Sequence, residues 1–100
     1  MFESFPPALQ DYGLAGPPVK RFFYVYLLVS ESDATKHYTG LTCDLSGRLD
    51  DHNRGHCLHT AKFRPWKIEI AIAFSCEAKA RAFEKYLKSG SGREFARRHF

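Results

Sequence analysis

The feature of this sequence that most constrains its fold is an unbroken apolar run of eight residues, Phe22 to Val29. It is far too short to cross a membrane, which takes about 20 apolar residues in a helix. Its aromatic and β-branched side chains favour a strand, and the lack of polar residues indicates burial on both faces. The chain is therefore predicted to build a small sheet around this segment as its central strand.

The remaining pattern predicts two more strands and three helices. Residues 36–41 form a hairpin with the central strand, and residues 66–74 form the third strand. If an odd number of residues joins the hairpin strands, Tyr26 and Tyr38 lie on the same sheet face. The order β-β-α-β-α-α indicates an α+β domain with a small three-stranded antiparallel sheet flanked by helices.

Local signals set the predicted helix ends. The first helix is capped within residues 42–44, runs to about Asn53 and stops before Gly55. Ser75 is predicted to cap the second helix, which Gly90 ends, and residues 91–94 (SGRE) form a capping box for the third. The predicted apolar face of the second helix consists of Ala78, Ala82, Phe83, Tyr86 and Leu87.

The length of 100 residues suits one domain. Residues 1–20 hold four of the five prolines and show no clean period, so they are interpreted as a loosely ordered N-terminal extension. Residues 21–100 then form the domain. The odd count of three cysteines, without paired spacing, disfavours a disulfide scaffold, and the N-terminus does not resemble a signal peptide. A cytoplasmic protein is expected.

The overall charge points to an anionic partner. Fifteen Lys and Arg against eleven Asp and Glu give a formal charge of +4 and a pI near 9.1. A basic protein can bind nucleic acid by releasing the counterions of its phosphates. The alternative is a surface charge that serves solubility only. Charge therefore permits, but does not establish, a nucleic-acid function.

Five elements in fixed order carry a resemblance to a known family. They are Tyr24-Val25-Tyr26, Tyr38-Thr39-Gly40, Arg48 and His52 on one predicted helix, and Glu84 on a later one. This order resembles the GIY-YIG nucleases, which are named for two short strand motifs about a dozen residues apart. The resemblance covers about residues 22–98. Two further segments, residues 59–66 (with His59-Thr60 and Arg64-Pro65-Trp66) and residues 84–92, look like the small stand-alone bacterial members and less like the longer excision-repair (UvrC-type) members. The resemblance implies a three-stranded antiparallel sheet, as the pattern of strands and helices had already indicated.

The resemblance also implies roles for five catalytic residues. Glu84 would be the only protein ligand of one Mg²⁺ or Mn²⁺ ion, which keeps waters and a substrate phosphate as its other ligands. Tyr26 would contact or deprotonate the attacking water, which for a phenol requires a neighbouring positive charge. Arg48 would bind the scissile phosphate. Tyr38 and His52 would position water and phosphate, and His52 could also relay a proton. Taken singly, each residue has an ordinary explanation in packing or a solvated surface; only their joint order favours catalysis.

The sequence departs from the family pattern at two places. Tyr24 stands where the first motif has Gly, which is a structural position. Many members also carry an Asn about a dozen residues after the metal-binding Glu, whereas this chain has Ala96 and no Asn after Glu84. That Asn would support either the metal-bound water or a backbone turn, and Ser89 or Ser91 is a candidate to replace it.

Other candidates lie in the basic loop before the third strand. His59, Lys62, Arg64 and Lys67 are predicted to bind the nucleic-acid backbone. Trp66 could stack on a base, although a buried anchor at the start of a strand is the favoured interpretation. His52, His56, Cys57 and His59 could be considered as a zinc site, but their spacing fits no standard zinc motif.

The predicted function is a metal-dependent endonuclease in repair or recombination that cuts DNA, with RNA as the alternative substrate. Its cutting is expected to be structure-directed or weakly sequence-specific. The first alternative is a non-cleaving nucleic-acid-binding module of the same fold, motivated by the missing Asn. The second is an interaction protein that uses the aromatic residues of the N-terminal extension to bind a protein partner or a second copy.

Overall fold

The computed structural model describes residues 21–100, which form one three-stranded antiparallel sheet with three flanking α-helices. Strand β1 (Phe23–Ser30) lies between β2 (His37–Thr42) and β3 (Trp66–Phe74). Its side chains from Val25 to Leu28 are all buried. The predicted fold class and the central position of the apolar run are confirmed.

Helices cover both faces of the sheet. Helix α1 (Leu45–Asn53) packs on one face, and α2 (Glu77–Leu87) and α3 (Gly90–His99) pack on the other. A short 3₁₀ turn, Ala61–Phe63, precedes β3. Among the described residues, no helix is long and apolar enough to span a membrane.

Alternation along β1 divides the core into two clusters. Tyr26 and Leu28 point towards α1, where they pack with Trp66. Val25 and Leu27 point the other way and pack with side chains of α2 and α3. Because period two forces this division, a one-residue shift of β1 would exchange the contents of the two clusters.

The register of the β1–β2 hairpin fixes the position of the two motif tyrosines. Tyr26 pairs with Gly40, and Leu28 pairs with Tyr38. Directly paired residues share a sheet face, and so do residues two apart on one strand. Tyr26 and Tyr38 therefore lie on the same face. The last paired residues, Val29 and His37, are separated by seven residues, which is the odd-numbered case of the prediction.

The termini of α1 confirm the prediction for that helix. Asp44 is the N-cap, and its carboxylate accepts a hydrogen bond from the Gly47 backbone N–H at 3.1 Å. The helix ends at Asn53, and Gly55 follows with φ of +80°, a conformation that favours glycine.

Several predicted details of the later helices were wrong. The N-cap of α2 is Cys76, not Ser75, and the helix ends at Leu87, before Gly90. Its buried side is formed by Ala80 and Leu87, whereas Ala78 and Ala82 are exposed. The reason is phase: Ala80, Phe83 and Leu87 lie three and four residues apart and face the sheet, as a helix that packs by one stripe requires.

The capping box at residues 91–94 was also wrong. Ser89 is the N-cap of α3, and its hydroxyl accepts a hydrogen bond from the Gly92 N–H at 3.1 Å. Gly90 is thus the first residue of α3. The predicted N-terminal extension, residues 1–20, lies outside the described residues.

Candidate active site

A cleft of about 360 Å³ opens beside the outer strand β2, between α1 and α2. Four of the five predicted catalytic side chains line it: Tyr26, Tyr38, Arg48 and Glu84. They come from four different elements, β1, β2, α1 and α2. The fold thus brings together residues that are up to 58 positions apart in the sequence.

Gly40 determines how Tyr26 reaches the cleft. It is the partner of Tyr26 on β2, and the tyrosine ring lies directly over it. A Cβ atom at position 40 would lie 2.4 Å from the Tyr26 hydroxyl oxygen and 2.5 Å from Cζ. The last residue of the Tyr-Thr-Gly motif must therefore lack a side chain, so that the phenol can extend across β2 to the cleft.

His52, the fifth predicted residue, lies behind the cleft rather than in its lining. Its side chain is fully buried, and Nε2 is hydrogen-bonded to the Tyr26 hydroxyl at 2.9 Å. The other ring nitrogen, Nδ1, is hydrogen-bonded to the Thr60 hydroxyl at 2.8 Å. The Tyr38 ring packs on the imidazole with a centroid separation of 4.8 Å. His52 can therefore act on the cleft only through Tyr26.

The protonation states of these groups follow from burial and from Arg48. Burial raises the pKa of Tyr26 above its ordinary value, although the neighbouring Arg48 guanidinium opposes the shift. The interaction with Tyr26 in turn raises the pKa of Arg48. Burial, and then Arg48, lower the pKa of His52. At neutral pH these three groups are therefore a neutral phenol, a neutral imidazole and a guanidinium cation.

Glu84 supplies a carboxylate to the same cleft. Its side chain is 21% exposed, and its Oε2 atom lies 3.0 Å from Nζ of Lys88, one turn along α2. Such a partly exposed pair contributes little to stability, so a stronger cation can replace the ammonium group. Glu84 is thus available to a ligand that enters the cleft.

The sequence analysis missed a second ion pair in the cleft. Arg81 lies between Glu77 and Glu84 on α2, and it contacts the Glu77 carboxylate at 2.7 Å. The three side chains share one helix face because they are spaced by four and three residues. That spacing could have identified Arg81 as a cleft residue once Glu84 was a candidate.

The predicted nucleic-acid-binding residues lie elsewhere. None of His59, Lys62, Arg64 and Lys67 lines this cleft. Lys62 lies in the 3₁₀ turn and Lys67 on β3, while Nε of Arg64 donates to the Ala61 carbonyl at 2.8 Å. All four are exposed, so their predicted contact with a nucleic-acid backbone stays a prediction.

The contacts of Trp66 and His52 decide two other roles considered for them, base stacking and zinc binding. Trp66 is 3% exposed and donates its indole N–H to the Thr60 carbonyl at 2.8 Å, so it is a buried anchor and does not stack on a base. Both ring nitrogens of His52 are engaged by Tyr26 and Thr60, which leaves no free lone pair for zinc.

The comparison with protein families agrees with this geometry. The family model described as the GIY-YIG catalytic domain matches residues 22–97. The chain belongs to the GIY-YIG family. No curated protein and no solved structure gave a significant match. Membership implies a nuclease-type function on a nucleic-acid substrate, and it gives the cleft formed by Tyr26, Arg48 and Glu84 a chemical context.

The departure from the family pattern at position 96 lies away from this cleft. Ala96 packs on the core cluster of Val25 and Leu27, on the α2–α3 side of the sheet. Neither Ser89 nor Ser91 lines the cleft, and the Ser89 hydroxyl is used to cap α3. Neither serine is therefore placed to support a metal-bound water. Ser89 does support a backbone turn, because its hydroxyl donates to the Tyr86 carbonyl at 2.5 Å between α2 and α3.

Proposed function

We propose that this protein is a divalent-metal-dependent endonuclease that hydrolyses phosphodiester bonds in DNA and leaves a 5′-phosphate and a 3′-hydroxyl. The observation that carries the proposal is the convergence of Tyr26, Arg48 and Glu84 on one cleft, with His52 bonded behind the phenol. These groups supply what hydrolysis of a phosphodiester requires: a proton acceptor, a cation for the phosphate and a carboxylate for a metal.

The cleft fits a hard divalent cation, Mg²⁺ or Mn²⁺. Such ions prefer carboxylate oxygen, and in phosphoryl-transfer sites one or two carboxylates hold them together with waters and substrate phosphate. Glu84 offers one carboxylate, and no group of three or more Asp, Glu, His or Cys side chains capable of holding a metal occurs in the described part of the chain. When bound, the ion would polarise the scissile phosphate and stabilise charge on the leaving oxygen.

Tyr26 would serve as the immediate proton acceptor of the attacking water. A phenol whose pKa is raised by burial is not a phenolate at neutral pH, so Tyr26 must lose its own proton as it gains one. His52 Nε2, at 2.9 Å from the phenol oxygen, is placed to take that proton. The lowered pKa of His52 keeps the imidazole neutral, as an acceptor must be.

Arg48 would bind the scissile phosphate beside Tyr26. Its Nη1 atom lies 3.7 Å from Oδ2 of Asp51, and the Arg48 side chain is 38% exposed, so this weak ion pair does not hold the guanidinium away from the cleft. A planar guanidinium can donate two parallel hydrogen bonds to phosphate oxygens. Arg81 would add positive charge at the cleft entrance by turning from Glu77.

Cutting would depend on the shape of the nucleic acid more than on its sequence. Base-specific recognition takes an interface of about 1,000 Å² or more of protein surface, and this cleft presents mainly groups suited to phosphate and water. A function in repair or recombination is the proposed context. The cysteines at 43, 57 and 76 are free thiols, which supports a reducing, cytoplasmic setting.

The test is cleavage of labelled linear, flapped and branched DNA with Mg²⁺ and with Mn²⁺. Wild type is compared with Glu84→Gln and with Glu77→Gln, which removes a second carboxylate from the same helix face and the same cleft. We expect Glu84→Gln to lose at least about 100-fold in rate and to retain binding in a gel shift. Glu77→Gln should stay within about tenfold of wild type.

Equal losses in the two variants would refute the assignment of Glu84 as the metal ligand. Wild type that binds all three substrates and cleaves none in either metal would refute the proposed activity. That second result would favour the alternative of a non-cleaving nucleic-acid-binding module.

A further inference from the structure

Thr60 lies at a helix-capping position, but its hydroxyl does not cap the helix. It is the N-cap of the 3₁₀ turn, and a threonine there ordinarily uses its hydroxyl to accept a backbone N–H. Here the hydroxyl makes no capping hydrogen bond. It points inward instead, to Nδ1 of His52 at 2.8 Å, and the residue is 1% exposed.

The hydroxyl of Thr60 has one proton and a choice of two acceptors. It lies within hydrogen-bonding distance of the Cys57 carbonyl oxygen, at 3.3 Å, as well as of His52 Nδ1. If the proton goes to the carbonyl, the hydroxyl oxygen must accept a proton from Nδ1–H. Nε2 is then left with its lone pair, which faces the Tyr26 hydroxyl at 2.9 Å.

The opposite arrangement would work against the chemistry of the cleft. With the proton on Nε2, the imidazole would donate to the phenol oxygen and could not take the phenol proton. A neutral imidazole has one donor and one acceptor nitrogen, and the partner of one nitrogen decides the role of the other. The direction of the Thr60 hydrogen bond thus decides whether His52 can assist Tyr26.

We propose that Thr60 is a positioning residue that holds His52 in the Nδ1–H tautomer, so that Nε2 accepts the proton of Tyr26 during cleavage. The proposal rests on the nuclease function proposed above. Thr60 touches neither substrate nor cleft and acts only through the imidazole. The backbone of Thr60 is also held in place, because its carbonyl accepts a hydrogen bond from the indole N–H of the buried Trp66 at 2.8 Å.

The proton transfer that this arrangement permits is balanced. The O–H bond of the attacking water breaks, and its proton goes to the Tyr26 oxygen while the Tyr26 proton goes to His52 Nε2. The water oxygen forms a bond to phosphorus, and the bond from phosphorus to the 3′ oxygen breaks, with its electron pair leaving on that oxygen. The 3′ oxygen takes a proton from solvent water and becomes the 3′-hydroxyl. His52 is then a cation that still donates Nδ1–H to Thr60, and it later returns its proton through Tyr26 to the hydroxide that the solvent water has become.

The direct test is the protonation pattern of the His52 ring in long-range ¹H–¹⁵N correlation spectra near pH 7.5. The His52 signals are assigned by their loss in His52→Gln. We expect wild type to show a protonated Nδ1 and an unprotonated Nε2. Thr60→Ser, which keeps the hydroxyl, should retain that pattern, and Thr60→Val, which keeps the shape without the hydroxyl, should move population to Nε2–H.

Cleavage kinetics supply the second measurement. Thr60→Val should lower kcat by at least about tenfold with KM within twofold, and Thr60→Ser should restore most of kcat. A purely structural threonine would not give this division between kcat and KM, nor a change of tautomer. Thermal unfolding of both variants shows whether the hydroxyl also supports the fold.

The spectra separate the two proposals because they need no cleavage. An Nε2–H tautomer in wild type, or an unchanged Nδ1–H tautomer in Thr60→Val, would overturn the role of Thr60 whether or not the protein cuts DNA. If Thr60→Val does not fold, the wild-type and Thr60→Ser spectra still decide. An inactive wild type with the expected tautomer would overturn the nuclease function and leave the hydrogen-bond assignment standing.

Discussion

Replacement of Gly40 by alanine tests whether the position of the Tyr26 hydroxyl governs activity. The added Cβ would lie 2.4 Å from the phenol oxygen, where ordinary van der Waals contact begins at 3.4 Å. The phenol must therefore move by about 1 Å. Tyr26 is 1% exposed and packed in the core, so it has little room to move without lengthening its 2.9 Å bond to His52.

The expected loss follows from this displacement. A shift of about 1 Å in a reacting group can cost about 100-fold in rate, and we expect Gly40→Ala to lose that much in kcat. Overpacking costs about 1–3 kcal/mol, and a weakened bond to the buried His52 adds to it. Alanine returns about 0.5–1 kcal/mol through its lower backbone entropy in the unfolded chain. A net loss of about 1–3 kcal/mol in the free energy of unfolding is expected.

Gly90→Ala is the matched control because it makes the same chemical change in open space. A Cβ at Gly90 would meet no atom within 4 Å, so activity and stability should stay close to wild type. Cleavage rates and urea unfolding curves are measured for both variants under conditions where both are folded. A rate for Gly40→Ala within threefold of wild type would refute the reasoning, and so would equal losses in the two variants.

Three further outcomes follow from the contacts around the cleft. Asn53→Ala removes the side-chain hydrogen bonds to the Trp66 carbonyl at 3.0 Å and to the Trp66 N–H at 2.6 Å. Urea unfolding should show a loss of about 1–3 kcal/mol in the free energy of unfolding. No loss would contradict the role of this link between α1 and β3. Arg48→Lys keeps the charge but loses the planar fork, so cleavage should fall at least about tenfold while the salt dependence of DNA binding changes little; a fully active variant would show that charge alone suffices. Burial and Arg48 hold the pKa of His52 below 6.5, so the unfolded chain binds a proton that the folded protein does not, and stability should fall as pH drops below about 6.5. This fall in the free energy of unfolding is at most about 1.4 kcal/mol per pH unit. Urea unfolding at pH 7.5 and 5.5 should show a smaller fall in His52→Gln than in wild type. An equal fall in the two proteins would contradict the prediction.

The strands could be predicted because their sequences carry one dominant signal. The run around Val25 has no polar residue to permit another fold, and β3 begins at Trp66 and ends at Phe74, as the pattern indicated. The caps of α2 and α3 were less predictable because each lies beside several residues of suitable type. Ser75 and Ser91 are as good N-caps by type as Ser89, and only the packing of α2 and α3 against the sheet decides which backbone N–H groups need a partner.

The candidate site, like the fold, could be predicted only in part from the sequence. The motif order predicted that Tyr26, Tyr38, Arg48 and Glu84 would converge, and the structure brings them to one cleft. The segment that contains Thr60 contributes to the family resemblance, but the sequence assigned Thr60 no role in the site, because a threonine in a loop is usually a surface or capping residue. Its contact with His52 depends on how the loop after α1 folds back, which no local spacing encodes.

The burial of the Tyr26–His52 pair has a consequence for how such a base can operate. A phenolate and an imidazolium held permanently inside the core would each carry a large desolvation cost, so the resting pair is neutral and hydrogen-bonded. The opposing pKa shifts of the two groups express the same cost. In the proposed mechanism, separation of charge would become favourable only when water is drawn to a phosphate held by Arg48, because the proton would then move along bonds that already exist. Such a base would stay inactive until substrate is bound.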